Sequence, residues 1–455
     1  MTRAIALAVC TLLLTISGSS TTRPLAGVLI VTLDTTRADR LPVYGYTRVV
    51  TPALDRLSRQ GTVFEQAVSV APLTLPAHCS LFTGLFPIHH HVRDNADRPL
   101  EGDSITLAEG LRTKGFRTAA FVGAAVLAHG RGLARGFDVY SDGQRQSAEV
   151  NPRRSADVVV DDAIGWLAHR EAQPFLVWVH LYDAHAPYTL PRPYRTAFAD
   201  DPYLGAIAFM DAQIARLLDV LDRSGLTDQT VVVVAGDHGE SLGEHGEESH
   251  GIFLYESTLH VPLIIRTPAL ARRRVSAVVR LVDIMPTVLE LAGVRPPDSD
   301  GISLVSMLTG RERDLGLEAY SESWYPRRFG WSPLRSLRAD RFKLIDGPRP
   351  ELYDLTLDPS EMHDISVERP GLAAAMAGRL STLEGELRPH ARPEPGMASA
   401  PVDDRLASLG YVGGARIDSP PPEILPAPRN PKDHIAEYNR IVRERTIRAC
   451  SAIGC

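Results

Sequence analysis

Two runs of apolar, mostly β-branched residues each lead to a carboxylate, and this repeated pattern constrains the fold more than any other feature. Val28–Leu33 is followed directly by Asp34, and Val231–Val234 leads after two small residues to Asp237. Such runs are typical of buried parallel strands. Because open α/β sheets bind ligands at the carboxyl ends of their strands, both carboxylates are predicted to help build a site.

Further patterns extend this sheet. Strand-like runs occur at 117–122 and 261–265, and a helical pattern covers 206–218. The alternation predicts an α/β fold, with a doubly wound, mostly parallel sheet and helices on both faces. Short strand-like runs also occur around 336–345. The 455 residues, 44% of them hydrophobic, suit a large globular enzyme.

A hydroxyl precedes a third apolar segment. The pentapeptide 74–78 reads Thr-Leu-Pro-Ala-His, so Thr74 is predicted at the N-terminal end of a helix with Pro76 in its first turn. An anion bound there would face unpaired backbone N–H groups. Thr and Pro are also ordinary capping residues, so taken alone the pentapeptide favours a helix cap over a nucleophile.

The residue after the second carboxylate is His238. Asp and neutral imidazole side by side suit a divalent ion such as Zn²⁺ or Mn²⁺. A structural interpretation also remains open, because Asp after a strand often caps the next helix or turns the chain. Two strand ends of this kind, together with a hydroxyl at a helix start, favour a catalytic site.

Taken together, these segments resemble the sulfatase family of the alkaline phosphatase superfamily. The resemblance runs from about residue 27 to about residue 390, in the expected order. It implies the fold described above, together with a smaller α+β subdomain toward the C-terminus. The residues that carry it are Asp34, 74–84, 180–188, 237–246, 254–264, 283–287 and 352–359.

The chain departs from this family at the nucleophile. Members that use formylglycine carry Cys or Ser there, in a motif with Pro and Arg, whereas this chain has Thr74 and, at the Arg position, His78. Thr carries an extra methyl group on Cβ and would give a ketone at best, so formylglycine is not expected. Cys79 lacks the Pro and Arg of the motif and is predicted to be a buried apolar residue.

The resemblance implies a different chemistry for this position. In the nucleotide phosphodiesterase and phosphoethanolamine transferase branches of the superfamily the nucleophile is a threonine. Thr74 would then attack phosphorus or sulfur and form a covalent ester that water hydrolyses. Asn95 stands where the family hydrogen-bonds substrate oxygens, and His78 at the Arg position joins the catalytic set. His185 and His250 match residues that hold the anion or protonate the leaving oxygen.

The resemblance also implies the metal ligands, which are Asp34, Thr74, Asp237 and His238. One or two divalent ions, Ca, Mn or Zn, are expected. Many members carry a further acidic or amide ligand directly after the first Asp, where this chain has Thr35, so metal identity and number stay open.

Other histidines receive structural interpretations. His180 ends the strand-like run 175–179 and is either a partner of a metal ligand or a buried core residue. Residues 89–91 are three adjacent histidines, which cannot all face one ion, and they are predicted to form a solvated loop.

The ends of the chain suggest its compartment and organisation. Residues 1–26 combine a charged start, an apolar run and small residues, which predicts a signal peptide or an N-terminal anchor. The protein is therefore expected to be exported to the periplasm or extracellular space, with membrane contact only through an uncleaved N-terminus. The remaining assignments are a catalytic α/β domain at 27–315, a smaller subdomain at 316–388, a Pro-rich linker at 389–432 and a short basic helical tail at 433–455.

Three functions remain open. The first is a metal-dependent hydrolase that cleaves a sulfate or phosphate ester of an anionic small molecule or glycan through Thr74. The second is a phosphodiesterase or phospho-group transferase of the same superfamily, whose lipid-modifying members usually carry several membrane spans. The third is a catalytically silent glycan- or lipid-binding relative, which would be expected to have lost metal ligands. No basic stripe accompanies the formal charge of −6, so nucleic acid is not expected as a partner.

Overall fold

A computed structural model of the chain describes residues 25–102, 104–143, 153–268, 270–387 and 429–453. The predicted signal peptide or anchor lies outside the described residues, except for its last two positions, and so does most of the predicted Pro-rich linker. Within the described ranges, none of the helices combines the length and the apolar composition that crossing a membrane requires.

The centre of the fold is an eight-stranded sheet with the order β4-β3-β5-β1-β6-β7-β2-β8. Strand β7 runs antiparallel to its neighbours β6 and β2, and the other paired strands are parallel. This confirms the predicted mostly parallel sheet. The strands are β1 Gly27–Leu33, β2 Thr62–Val68, β3 Arg117–Val122, β4 Val139–Ser141, β5 Phe175–Leu181, β6 Thr230–Gly236, β7 His260–Arg266 and β8 Arg273–Arg280.

Helices cover both faces of this sheet. Successive side chains of a strand point to opposite sides, so each strand contributes apolar residues to two cores. In β1, Val28 and Ile30 join one core, whereas Leu29 and Val31 join the other. Helices α2, α4 and α9 line the first core, and α1, α5 and α7 line the second. The helices of this part are α1 Pro52–Gln60, α2 Thr74–Thr83, α3 Pro87–His90, α4 Leu107–Arg112, α5 Ala156–Ala168, α6 Arg192–Ala197, α7 Pro202–Arg223, α8 Glu256–Leu259, α9 Ile284–Leu291 and α10 Val305–Thr309.

A four-stranded antiparallel sheet follows, which confirms the predicted smaller subdomain. Helix α11, Pro370–Leu387, packs on this sheet, and the last described helix is α12, Ile435–Ile453. The boundaries that the sequence suggests for the subdomain and the tail stay predictions. The strands are β9 Ala319–Ser323, β10 Leu334–Ala339, β11 Phe342–Asp346 and β12 Glu351–Asp354.

The expectation of a solvated histidine loop is wrong. His90 ends α3 and is 4% exposed, and its Nε2 lies 2.9 Å from Ser80 Oγ. The side chain of His89 is only 5% exposed and pairs with Asp300 at 2.6 Å. Polar partners from distant parts of the chain allow these imidazoles to be buried.

The parallel register of the central strands determines where the candidate site lies. Strand β1 lies between β5 and β6, and Leu33 is level with Leu181 and with Gly236. The carboxyl ends of the three central strands therefore meet at one edge of the sheet. Asp34 and Asp237 each leave their strand at this edge.

Candidate active site

Helix α2 delivers a hydroxyl to this edge. It begins at Thr74, whose side chain is completely buried. Thr74 Oγ1 lies 3.2 Å from His238 Nε2 and 3.4 Å from Asp34 Oδ2. The predicted nucleophile therefore contacts two of the predicted metal ligands directly.

One oxygen of Asp34 is fixed by protein contacts. The Gly123 N–H points to His180 Nδ1 at 3.4 Å, so His180 carries its proton on Nε2 and donates it to Asp34 Oδ2 at 3.1 Å. Asp34 Oδ1 is buried and has no hydrogen-bond partner among the described residues. His180 is thus a partner of a predicted ligand, which is one of the two interpretations that the sequence left open.

In Asp237, as in Asp34, one carboxylate oxygen is hydrogen-bonded and the other is not. Its Oδ1 accepts hydrogen bonds from the N–H groups of Thr35 at 3.2 Å and His238 at 2.7 Å. Its Oδ2 is buried without a hydrogen bond in the part of the chain that is described. Thr35 has a φ of 49°, a left-handed conformation that is rare for a β-branched residue.

The electrostatics of the two carboxylates are compatible with a bound cation. Burial raises the pKa of Asp34 well above its usual value, and the hydrogen bond from Thr74 and the charge of Arg153 offset part of that rise. Burial also raises the pKa of Asp237, and the nearby charge of Asp34 raises it further. Two ionised carboxylates at these positions repel each other, and either a proton or a bound cation would relieve the repulsion.

A neutral imidazole completes this donor set. Burial, followed by the neighbouring His250, holds the pKa of His238 well below its usual value. His238 Nδ1–H donates to the Gly239 carbonyl at 2.9 Å, so Nε2 presents a lone pair. The ligand atoms of Asp34, Asp237 and His238 all lie within 4.8 Å of one another. Two carboxylate oxygens without hydrogen bonds and one imidazole lone pair fit a divalent cation.

A second group with similar spacing fits a cation less well. His78, His180 and Asp237 also bring ligand atoms within 4.8 Å of one another. However, His78 Nδ1 lies 2.7 Å from the Thr74 carbonyl and Nε2 lies 3.0 Å from Thr32 Oγ1. Both nitrogens are used in hydrogen bonds, and the same is true of His180 as described above.

These bonds place His78 against the first turn of α2. Its Nδ1–H donates to the carbonyl of Thr74, and its Nε2 accepts from Thr32, which in turn accepts from Trp178 Nε1 at 2.9 Å. Burial lowers the pKa of His78. The neutral ring supports the residue that carries the hydroxyl, and its catalytic role stays a prediction.

His185 and His250 meet at the site. Their Nε2 atoms lie 3.2 Å apart, and the ring of His250 lies 4.4 Å from that of His238. Each Nδ1–H donates to a backbone carbonyl, His185 to Ala186 at 2.6 Å and His250 to Pro72 at 3.0 Å. An N–H···N bond between the rings therefore requires one extra proton on Nε2. Burial lowers both pKa values, that of His250 to about 4, which disfavours this extra proton. A negative group bound nearby would favour it.

Asn95 is oriented by the helix start. Its Oδ1 accepts from the Leu75 N–H at 2.8 Å, which identifies the other amide atom as Nδ2. Nδ2 is buried and without a hydrogen-bond partner among the residues described. Arg131 Nη2 donates to the Asn95 carbonyl at 2.6 Å and helps to fix its backbone. Two N–H donors of Asn95 are thus available to a substrate oxygen.

Arg153 is a charge near the site that the sequence did not indicate. Its guanidinium donates to the Pro187 carbonyl at 2.7 Å and lies 5.3 Å from the ring of Tyr182. Its charge lowers the pKa of both Asp34 and His185. No motif surrounds Arg153, so only the fold shows its proximity.

Cys79 is separate from this chemistry. Its side chain is completely buried in the apolar core on the α2 side of the sheet, and burial raises the pKa of its thiol. The raised pKa keeps the thiol protonated and weakly reactive. This geometry agrees with the apolar role expected for Cys79.

Comparisons with known proteins agree with this fold. Among curated relatives, an ulvan-active sulfatase of Formosa agariphila is 24% identical over 437 residues, covering 84% of this chain and 81% of the relative. An N-acetylglucosamine-6-O-sulfatase of Bacteroides thetaiotaomicron is 25% identical over 470 residues, covering 76% of this chain and 83% of the relative.

Solved structures show the same architecture. The phosphonate monoester hydrolase of Agrobacterium radiobacter superposes with a TM-score of 0.69 at 23% identity, covering 80% of this chain and 96% of the other. A protein solved in complex with its substrate D-glucosamine-2-N,6-O-disulfate has a TM-score of 0.68 at 23% identity, covering 81% of this chain and 98% of the other.

Family models match two overlapping parts of the chain. Residues 243–384 match a model described as N-sulphoglucosamine sulphohydrolase, C-terminal. Residues 27–294, more than half of the chain, match the sulfatase model. The chain therefore belongs to the sulfatase family of ester-bond hydrolases, within the alkaline phosphatase-like superfamily.

Proposed function

We propose that this protein is a metal-dependent hydrolase that cleaves a sulfate or phosphate ester with Thr74 as its nucleophile. The observation that carries the proposal is the position of Thr74 Oγ1, 3.2 Å from His238 Nε2 and 3.4 Å from Asp34 Oδ2 at the start of a helix. A purely structural cap would not require this hydroxyl to lie between an imidazole lone pair and a buried carboxylate.

Activation of the hydroxyl follows from these contacts. Asp34, Asp237, His238 and Thr74 would hold the cation, which when bound stabilises negative charge and lowers the pKa of the hydroxyl. With the lone pair of His238 Nε2 assigned to the cation, the acceptor within reach of the Thr74 proton is Asp34 Oδ2, 3.4 Å away. His180 keeps Asp34 oriented toward Thr74 by donating to the same carboxylate oxygen.

Substrate is then cleaved in two displacements. Thr74 Oγ1 forms a bond to sulfur or phosphorus and the bond to the leaving oxygen breaks. The proton for that oxygen is the extra one on the Nε2 atoms of the His185–His250 pair, which the bound anionic ester favours. Asn95 Nδ2 donates to a non-bridging oxygen of the transferred group. Water then hydrolyses the covalent Thr74 ester, releasing sulfate or phosphate and restoring the hydroxyl.

The substrate class is an anionic ester of a sugar or another small molecule. Relatives include sulfatases named for ulvan and N-acetylglucosamine as well as phosphonate monoester hydrolases, so sulfur and phosphorus esters are both part of the proposal. The protein would act in the periplasm or extracellular space, because residues 1–26 predict a signal peptide or an anchor.

Mass spectrometry tests the proposal. The purified protein is incubated briefly with an aryl sulfate or an aryl phosphodiester in parallel, and its metal content is measured. We expect bound divalent metal and an adduct on the peptide containing Thr74, a sulfo group from the sulfate or a phosphoryl group that keeps its second ester from the diester, with no adduct in a Thr74→Ala variant. An adduct on another residue, an oxidised Cys79, or the absence of metal, adduct and turnover would overturn the proposal.

A further inference from the structure

The last described helix contacts the backbone of the segment that carries His250. We define the His250 segment as residues 246–253. Tyr438 Oη donates to the His250 carbonyl at 2.7 Å, and Asn439 Nδ2 donates to the Gly246 carbonyl at 2.7 Å. Asn439 Oδ1 accepts from the Glu248 N–H at 3.2 Å. Two consecutive side chains thus bind three backbone groups of one segment.

These contacts lie in a closed interface. Tyr438 is 3% exposed and Asn439 is 6% exposed. The Tyr438 ring packs edge-on against Phe329 and Tyr325, with centroids 5.7 and 6.1 Å away. A Cβ atom placed on Gly251 would lie only 3.0 Å from Tyr325 Cδ1, so the His250 segment reaches the same aromatic cluster.

The residues that lead directly into α12 are fixed on the rest of the protein as well. The ring of His434 stacks on that of Trp331 with centroids 5.3 Å apart. Lys432 Nζ pairs with Glu351 Oε1 on β12 at 2.6 Å. The N-terminal end of the helix is therefore held in place where the helix approaches the His250 segment.

The backbone of the His250 segment includes two glycines in the left-handed region. Gly246 and Gly251 have φ values of 84° and 108°, in a region that glycine enters without strain. From inside, the Glu247 carboxylate accepts the N–H groups of Ile252 at 2.9 Å and Phe253 at 3.2 Å. These two hydrogen bonds lie within the segment. The carbonyls of residues 246 and 250 and the N–H of residue 248 are bonded by side chains of α12 instead.

We propose that Tyr438 and Asn439 are positioning residues that hold the His250 segment in the geometry which the reaction requires. The inference rests on the proposed function, because His250 is one half of the pair that would protonate the leaving oxygen. The Nε2 atoms of that pair are 3.2 Å apart, so a small displacement of the segment would break their contact. The segment predicted from the sequence as a basic tail would thereby contribute to catalysis.

Three full-length variants test the proposal. Tyr438→Phe keeps the aromatic packing and removes only the hydroxyl, and Asn439→Ala removes the other two contacts. Arg440→Ala is the matched control, since Arg440 is on the same helix with 65% of its side chain exposed and pairs with Glu444. Hydrogen exchange of the His250 segment is measured together with kcat, KM and the melting temperature.

The expected results separate positioning from general stability. Amide exchange in the His250 segment should accelerate about fivefold in Tyr438→Phe and Asn439→Ala, and not in Arg440→Ala. Tyr438→Phe should lower kcat about tenfold with little change in KM or melting temperature. In a His250→Ala background, Tyr438→Phe should have no further effect on kcat, because its influence passes through His250.

Failure of the positioning role can be distinguished from failure of the proposed function. Unchanged exchange in both interface variants would overturn the positioning role, whatever the activity. An equal loss of kcat from Tyr438→Phe with and without His250 would also overturn it. A wild-type protein that hydrolyses neither ester would overturn the proposed function, while the exchange measurement would still decide whether α12 holds the segment.

Discussion

Thr74 Oγ1 lies 3.2 Å from His238 Nε2, and His238 can only accept at that nitrogen because its Nδ1–H is donated to the Gly239 carbonyl at 2.9 Å. The backbone of the Asp237–Gly239 turn therefore sets the tautomer of the imidazole that faces the hydroxyl. One lone pair is directed to the point where a proton must leave or a cation must bind.

Replacement of Thr74 should remove turnover. Thr74→Ala lacks the nucleophilic oxygen, and we expect kcat to fall by more than about a thousandfold. Thr74→Ser keeps a hydroxyl and should retain activity within about tenfold of wild type. Steady-state hydrolysis of aryl esters checks both variants, and a Thr74→Ala protein with near wild-type kcat would contradict the role of this residue.

Cys79 should matter for packing alone. We expect Cys79→Ala to lower the free energy of unfolding by about 1 kcal/mol, because it leaves a small cavity in a fully buried site. Turnover should stay within about twofold of wild type, since the thiol lies in the apolar core. Denaturant unfolding and initial rates measure the two effects, and selective loss of activity would show that the sulfur takes part in the chemistry.

Neutralising one carboxylate should separate metal binding from folding. Metal-free Asp237→Asn should be at least as stable as wild type, because it removes a buried charge that repels Asp34 and keeps an oxygen for the N–H groups of Thr35 and His238.

Added Mn²⁺, Ca²⁺ or Zn²⁺ should stabilise wild type by about 3 kcal/mol at a hundred times the dissociation constant, and should leave the Asp237→Asn variant unchanged. Thermal unfolding with and without each ion provides the measurement. Equal stabilisation of both proteins would place the cation elsewhere.

The buried pair of His89 and Asp300 should make stability depend on pH. His89 Nδ1 lies 2.6 Å from Asp300 Oδ2, and Nε2 contacts the Leu387 carbonyl at the end of α11. Both partners are acceptors, so the ring carries two protons. The hydrogen bond and charge of Asp300 outweigh the opposing effect of burial and raise the pKa of His89 above its usual value of 6.5.

The sign of the effect follows from this raised pKa. The folded protein holds the proton more tightly than the unfolded chain, so the pair contributes fully below about pH 6.5 and less as pH rises through the folded pKa. We expect His89→Gln to lower the free energy of unfolding by about 2 kcal/mol at pH 5.5 and by less at pH 9. A difference between the two proteins that stays constant from pH 5.5 to pH 9 would contradict a charged His89.

The fold class and the positions of Asp34, Thr74 and Asp237 could be predicted from local patterns, whereas the roles of the other site residues followed from the family resemblance. The runs ending at Asp34 and Asp237 identified buried parallel strands, and the pentapeptide beginning at Thr74 identified a helix start. Strand periodicity and helix-start chemistry depend on neighbours in the sequence, so they can be read without coordinates. The family match over residues 27–294 agrees with this prediction.

The sequence by itself thus determined which strands deliver carboxylates and which helix delivers the hydroxyl. Only the tertiary structure decided which distant residues orient and bury the side chains of the site and of the surrounding core. The His250 ring is fixed by a carbonyl 178 residues away and its backbone by a tyrosine 188 residues away. His89, expected in a solvated loop, is buried because Asp300 reaches it across 211 residues. Tautomers, buried charges and the role of α12 depend on such distant partners, and no local sequence pattern specifies which backbone group a side chain will meet.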